Sequence, residues 1–177
     1  MKIILLAFVI GIGAFVAYKT ITPEIGLHEG EQAPDFSLLD SEGVSRSLKD
    51  FQGNAVVLYF FPKAGTPGCT AQACSLRDSY APFKEQNSII FGVSYDSVEQ
   101  LADFKVKHHL PFYLLSDAKK EVAAKYGASR PFFSNVAPHR ITFIIDEQGK
   151  IIKVMPHVTV DTHTQEILDF IKQRSKA

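Results

Sequence analysis

The sequence predicts an α/β domain in which a central mixed β-sheet is flanked by helices. Three observations carry this. The run Ala55-Val56-Val57-Leu58-Tyr59-Phe60-Phe61 is apolar on both faces, as a buried central strand would be. Between Ile89 and Tyr126, short β-type segments alternate with helical ones, the pattern of strands packed between helical layers. Near the C-terminus two β-type runs flank Asp146-Glu147-Gln148-Gly149-Lys150, a hairpin connection with glycine where a left-handed residue is often required. At 177 residues the chain has room for one ordinary domain and little else.

The first segment lies outside the sheet. Lys2 precedes an uninterrupted apolar or small run from Ile3 to Tyr18, and Lys19 closes it. As a helix this run would rise about 24 Å at ~1.5 Å per residue, so it would cross a bilayer only by thinning it or by letting the flanking lysines snorkel. It has no polar face, which argues against a buried core helix. The only small-x-small candidate for cleavage is the weak Gly11-Ile12-Gly13. Residues 1–19 are therefore read as an uncleaved membrane anchor through residues 3–18, in preference to a removed signal, which would leave an exported soluble protein. Lys2 plus the terminal amine slightly outweigh Lys19, which puts the domain on the extracytoplasmic side. Residues 20–32, polar and irregular with Pro23, Gly26 and Gly30, read as a linker.

The folded domain is expected over 33–177. Phe36-Ser37-Leu38 shows strand alternation, the central run follows, and Pro62 stops it. A loop rich in Gly and Pro leads into a helix from Pro67 to about Glu85. Then come a strand (Ile89 to Ser94), a helix (Val98 to His108), a strand (Phe112 to Leu115) and a helix (Lys119 to Tyr126). Ile141 to Ile145 and Ile151 to Met155 form the hairpin, and an amphipathic helix from Thr164 to Gln173 closes the domain. This order suits a thioredoxin-like sheet, although periodicity alone leaves other α/β topologies open.

Lysine plus arginine equals aspartate plus glutamate at 19 each, with no long basic run, so no electrostatic footprint for nucleic acid exists. Two cysteines are too few for a disulfide scaffold, and no further Cys or His stands close enough to make a structural zinc site. His108 and His109 are adjacent and point in different directions, and His28, His139, His157 and His163 show no ligand pairing. They are read as solvated or packing residues. No metal or other cofactor is implied.

The chemistry concentrates in Pro62-Lys63-Ala64-Gly65-Thr66-Pro67-Gly68-Cys69-Thr70-Ala71-Gln72-Ala73-Cys74. Thr66 offers a hydroxyl suited to a helix N-cap, and Pro67 suits the first helical position, where a missing N–H costs nothing. Cys69 then falls third in the helix. Unpaired backbone N–H groups and the positive end of the macrodipole favour a thiolate there, hence a nucleophile. Cys74 gains interest only from its spacing to Cys69.

Pro62-x-x-x-Thr66-x-x-Cys69 resembles the active-site signature of peroxiredoxins. Thr-Pro-Gly-Cys-Thr-x-Gln-Ala-Cys with Arg77-Asp78 after it is similar to the subfamily called peroxiredoxin Q or bacterioferritin comigratory protein. Gly92 to Ser97, Leu114 to Asp117 and Arg140 to Asp146 stand where that subfamily has corresponding segments, so the likeness runs from about Gly30 to the C-terminus.

The resemblance implies a thioredoxin-like fold and a thiol peroxidase acting on hydrogen peroxide and organic hydroperoxides. In it Cys69 matches the peroxidatic cysteine and Cys74 the resolving cysteine, which close an intramolecular disulfide recycled by thioredoxin or a similar dithiol. Thr66 matches the hydroxyl that bonds the peroxide, Pro62 the residue shielding the pocket, and Arg140 the cation beside the thiolate. A monomer or weak dimer is expected, and Lys63 and Arg77 are left as solvated charges. A membrane-tethered thiol–disulfide oxidoreductase is the rival reading, but it should carry Cys-x-x-Cys, whereas four residues intervene here. A copper-delivery or sensor protein would want a three-residue gap and a nearby histidine ligand, neither of which is evident.

If both cysteines lie on one regular helix, they are separated by about 7.5 Å along its axis and roughly 140° around it. Their Cα atoms would stand about 8–9 Å apart, beyond the ~7 Å a disulfide bridges without backbone movement. The first turns of the helix must then unwind before the bond closes.

Overall fold

The computed structural model describes residues 26–129 and 136–174. The hydrophobic segment 1–19 and the first part of the span read as linker lie outside the described residues. Among the described residues no helix is long and apolar enough to cross a membrane.

Among the described residues seven strands form one mixed sheet in the order β2-β1-β5-β4-β3-β6-β7. They are β1 (Ser37–Asp40), β2 (Ser45–Ser47), β3 (Ala55–Phe60), β4 (Ser88–Ser94), β5 (Tyr113–Ser116), β6 (Ile141–Ile145) and β7 (Ile151–Met155). β3 runs parallel to β4 and antiparallel to β6, and β4 runs parallel to β5. The helices are α1 (Pro67–Asp78), α2 (Tyr80–Glu85), α3 (Val98–His108), α4 (Glu121–Lys125) and α5 (Val160–Arg174). The fold is thioredoxin-like, with helices flanking the sheet.

All six residues of β3 are buried, and their alternation divides the core in two. Val57 and Tyr59, with Phe61 just beyond, face Leu76, Phe83, Leu101 and Ile167 from α1, α2, α3 and α5. Val56, Leu58 and Phe60 face the other way, toward Val122 and Tyr126 and toward Phe36 and Leu48. A strand packed on both faces needs no polar side, hence the unbroken apolar run.

Several elements differ from expectation. The helix expected from Pro67 to Glu85 breaks at Ser79 into α1 and α2. Pro82 is the cause, since it has no N–H for the carbonyl of Asp78 and its ring crowds that carbonyl. β2 and the 3-10 turn Leu48–Phe51 were not foreseen. The polar triplet Ser45–Ser47 carries no apolar alternation and is a strand only because β1 pairs with it. The hairpin forms as expected, with Gly149 at φ +81° and the Asp146 carboxylate accepting from the N–H groups of Gln148 and Lys150. Residues 30–32, within the span read as linker, are already bonded to it: Gly30 N donates to Ile151 O at 2.7 Å and Ile151 N to Glu31 O at 2.8 Å. Paired structure thus begins ahead of Ala33.

Candidate active site

β3 delivers the chain to Pro62, and the loop from Pro62 to Thr66 turns it into α1. The turn needs Gly65, whose φ of +77° lies in the left-handed region. The loop is also pinned from outside: the Ala64 N–H donates to Asp96 Oδ2 at 2.8 Å, and Ser94 Oγ donates to the same oxygen at 2.7 Å. Asp96 is 7% exposed and sits just past β4, so the end of one central strand holds the loop leaving its neighbour. Half-buried Pro62 opens the loop and lines a cavity of about 300 Å³ with Lys63, Tyr95 and Gln100.

Thr66 is the N-cap residue by backbone geometry and Pro67 the first helical residue, as expected. The Thr66 side chain makes no capping bond, which corrects one expectation. Its hydroxyl donates instead to Lys63 O at 3.0 Å, so its proton is committed to the loop and its lone pairs remain.

Cys69 is third in α1, 2% exposed and a free thiol. Arg140, immediately before β6, extends its guanidinium over the first turn of α1, where a Cβ added to Gly68 would lie 3.6 Å from Nη2. Arg140 Nη2 donates to Cys69 Sγ at 3.2 Å, and Nη1 donates to Gln72 Oε1. A fixed cation and an oriented donor therefore both converge on the sulfur, reinforced by the helix N-terminus.

Cys74 also lies in α1, partly exposed, with its sulfur 3.9 Å from His108 Nδ1. Arg77 is not simply solvated: its Nη1 donates to His108 O at 2.8 Å and its Nε to Asp78 Oδ1, which straps the last turn of α1 to the end of α3. Of the residues singled out from the sequence, Cys69 and Arg140 meet directly. Thr66 and Pro62 stand on the loop leading to Cys69, while Cys74 faces α3.

The matching family model, AhpC/TSA family, covers residues 30–154. Peroxiredoxin Bcp of Bacillus subtilis is 40% identical over 151 residues, spanning 83% of this chain and 96% of that protein. Peroxiredoxin Bcp of Escherichia coli is 40% identical over 153 residues, spanning 84% and 98%. This chain is a peroxiredoxin of the Bcp/PrxQ group.

As a peroxiredoxin of that group it is a thiol-dependent peroxidase that reduces hydroperoxides. Solved structures agree on the architecture. Peroxidoxin BcpB from Mycobacterium tuberculosis superposes with a TM-score of 0.78 at 35% identity, covering 83% of this chain and 97% of its own. The bacterioferritin comigratory protein of Xanthomonas campestris, described in connection with alkyl peroxide reduction, gives 0.74 at 26% identity, covering 78% and 91%.

Four residues given no site role from the sequence stand around Cys69, Arg140 and the loop in this peroxiredoxin: Asp96 holds the loop at Ala64, Gln72 meets Arg140, and His163 and Thr142 lie behind Gln72. Gln72 had a usable signal, since three residues beyond Cys69 places it one turn along on the same face. His163, expected to be a packing residue, is buried behind Gln72 and bonded to it. Nothing local marks it, because its partner is 91 residues away.

Proposed function

We propose that Cys69 is the peroxidatic cysteine and that Cys74 resolves it. The Cys69 thiolate attacks the terminal oxygen of a hydroperoxide; an S–O bond forms, the O–O bond breaks, and the leaving oxygen departs as water or an alcohol after taking a proton. Cys74 then attacks the Cys69 sulfenic acid, expels water and leaves an intramolecular disulfide. An external dithiol of the thioredoxin kind returns two electrons and two protons, restoring both thiols. The observation that carries this reading is the 3.2 Å contact from Arg140 Nη2 to Cys69 Sγ.

The other roles follow from chemistry. Arg140 keeps its charge and has several donors, so it stabilises the thiolate and also orients a peroxide oxygen. Thr66, its proton held by Lys63 O, accepts from the peroxide O–H. Pro62 limits solvent at the loop. The alkyl peroxide activity described for the Xanthomonas protein supports organic hydroperoxides beside hydrogen peroxide. We further propose a monomer or weak dimer, tethered through residues 3–18 with its domain on the extracytoplasmic side.

The deciding experiment measures hydrogen peroxide consumption with thioredoxin and its reductase. Cys69→Ser should abolish it, because a serine hydroxyl is not ionised at neutral pH. Cys74→Ser should consume about one equivalent of peroxide and then stop. Sustained turnover in the first variant would end the assignment of Cys69, and in the second that of Cys74. For the tether, the full chain should sediment with membranes while residues 26–177 remain soluble.

A further inference from the structure

Behind Arg140 runs a polar chain that the reaction above does not itself employ. Gln72, Thr142 and His163 are all fully buried, and they come from α1, β6 and α5. Gln72 Oε1 accepts from Arg140 Nη1, which leaves the amide nitrogen facing His163 Nδ1 at 3.1 Å. An amide nitrogen only donates. Nδ1 is therefore the acceptor, the ring proton sits on Nε2, and from there it donates to Thr142 Oγ1 at 2.8 Å.

Each link thus has one direction. A protonated imidazole would set a second N–H against the Gln72 amide nitrogen; the amide would turn, and its NH2 rather than its oxygen would meet Arg140. The surroundings hold the ring neutral. Burial pushes His163 down to about 4, opposed by Glu166 and assisted by Arg140. The guanidinium at the other end has one hydrogen bond to Gln72 and one to Cys69, so the amide's orientation decides where Nη2 points.

We propose that His163 is a positioning residue of the peroxidase site: its neutral imidazole fixes the Gln72 amide and thereby holds the Arg140 guanidinium on Cys69. This rests on the reading of Cys69 and Arg140 given above. His163 touches neither peroxide nor sulfur. It acts only through Gln72 and Arg140.

The test is a double-mutant cycle on the rate at which hydrogen peroxide oxidises Cys69 in the full chain, followed by stopped flow. His163→Leu removes both ring nitrogens and should slow that step about tenfold, the size expected for losing an oriented buried hydrogen bond. His163→Gln restores one acceptor and one donor and should return the rate to within about threefold of the unmodified protein. In an Arg140→Ala background, His163→Leu should slow nothing further, because a residue that works through Arg140 has nothing left to orient. Thr142→Val is nearly isosteric, reads the chain from its far end and should also slow oxidation; it replaces the leucine variant should that one not fold. Unchanged rates, or equal slowing with and without Arg140, would overturn the proposal and leave Arg140 in place. An Arg140→Ala rate equal to that of the unmodified protein would overturn the assignment of Arg140, and the proposal with it.

Discussion

Phe60 and Ile141 are partners across the antiparallel β3–β6 ladder, and this register places Arg140 beside the chain as it leaves β3 for the Cys69 loop. A cation 71 residues from the nucleophile is thereby brought to 3.2 Å from it. Arg140→Ala should slow oxidation of Cys69 on the order of 10²-fold, comparable to losing one preorganised donor at a reacting charge. Arg140→Lys should recover only part of this, since one ammonium cannot reproduce the guanidinium fork that meets Cys69 and Gln72 together. Stopped-flow rates of all three proteins check this, and a lysine variant as fast as the original would show that charge alone suffices.

Disulfide formation should unwind the start of α1 and spare its end. Both cysteines lie within Pro67–Asp78, while Arg77 straps the last turn to His108 O on α3. Gly68 and Thr70 have poor helix propensity, so the weaker end is the one that carries Cys69. Hydrogen exchange on the oxidised protein should show lost amide protection from Thr70, whose N–H donates to Thr66 O at 2.9 Å, to about Cys74 and retained protection after Arg77, with full recovery on reduction. Equal exchange in the two redox states would rule out the unwinding.

Folding stability should decline in mild acid because of His163. The folded protein binds its proton only near pH 4, whereas an unfolded histidine titrates near 6.5. Between those values the unfolded chain holds more protons, so this contribution is fully present above about pH 6.5 and is lost as pH falls toward 4, roughly 3 kcal/mol in all. Urea denaturation at a series of pH values should give His163→Gln a flatter profile than the unmodified protein. Parallel profiles would mean that His163 is not the group being titrated.

Gly92 should not tolerate a side chain. A Cβ there would lie 2.6 Å from the Tyr59 hydroxyl and 2.9 Å from Leu114 Cδ2, because the Tyr59 ring leans across β4. Gly92→Ala should cost about 1–3 kcal/mol through overpacking. The Tyr59 hydroxyl is buried and has no hydrogen-bond partner among the described residues, so Tyr59→Phe should be neutral or stabilising alone and should relieve part of the Gly92→Ala defect. Thermal denaturation of the two single variants and the double variant tests both statements; a Tyr59→Phe protein less stable by 1 kcal/mol or more would count against them.

What could be read from the residues was whatever short-range chemistry encodes. The buried strand at Ala55–Phe60, the Thr66-Pro67 helix start with Cys69 in its first turn, and the left-handed Gly149 all express backbone and packing preferences acting over a few residues. The break at Ser79 is local as well, since Pro82 forbids the bond that would bridge it. Arg140 was found through family resemblance, because nothing near it in the chain marks it as a ligand of sulfur. Gln72, His163 and Thr142 became a directed hydrogen-bond chain only where α1, α5 and β6 pack together. Local preference chooses helices, strands and caps, whereas sheet register and helix docking choose which distant side chains meet, and here they set the orientation of the guanidinium on Cys69.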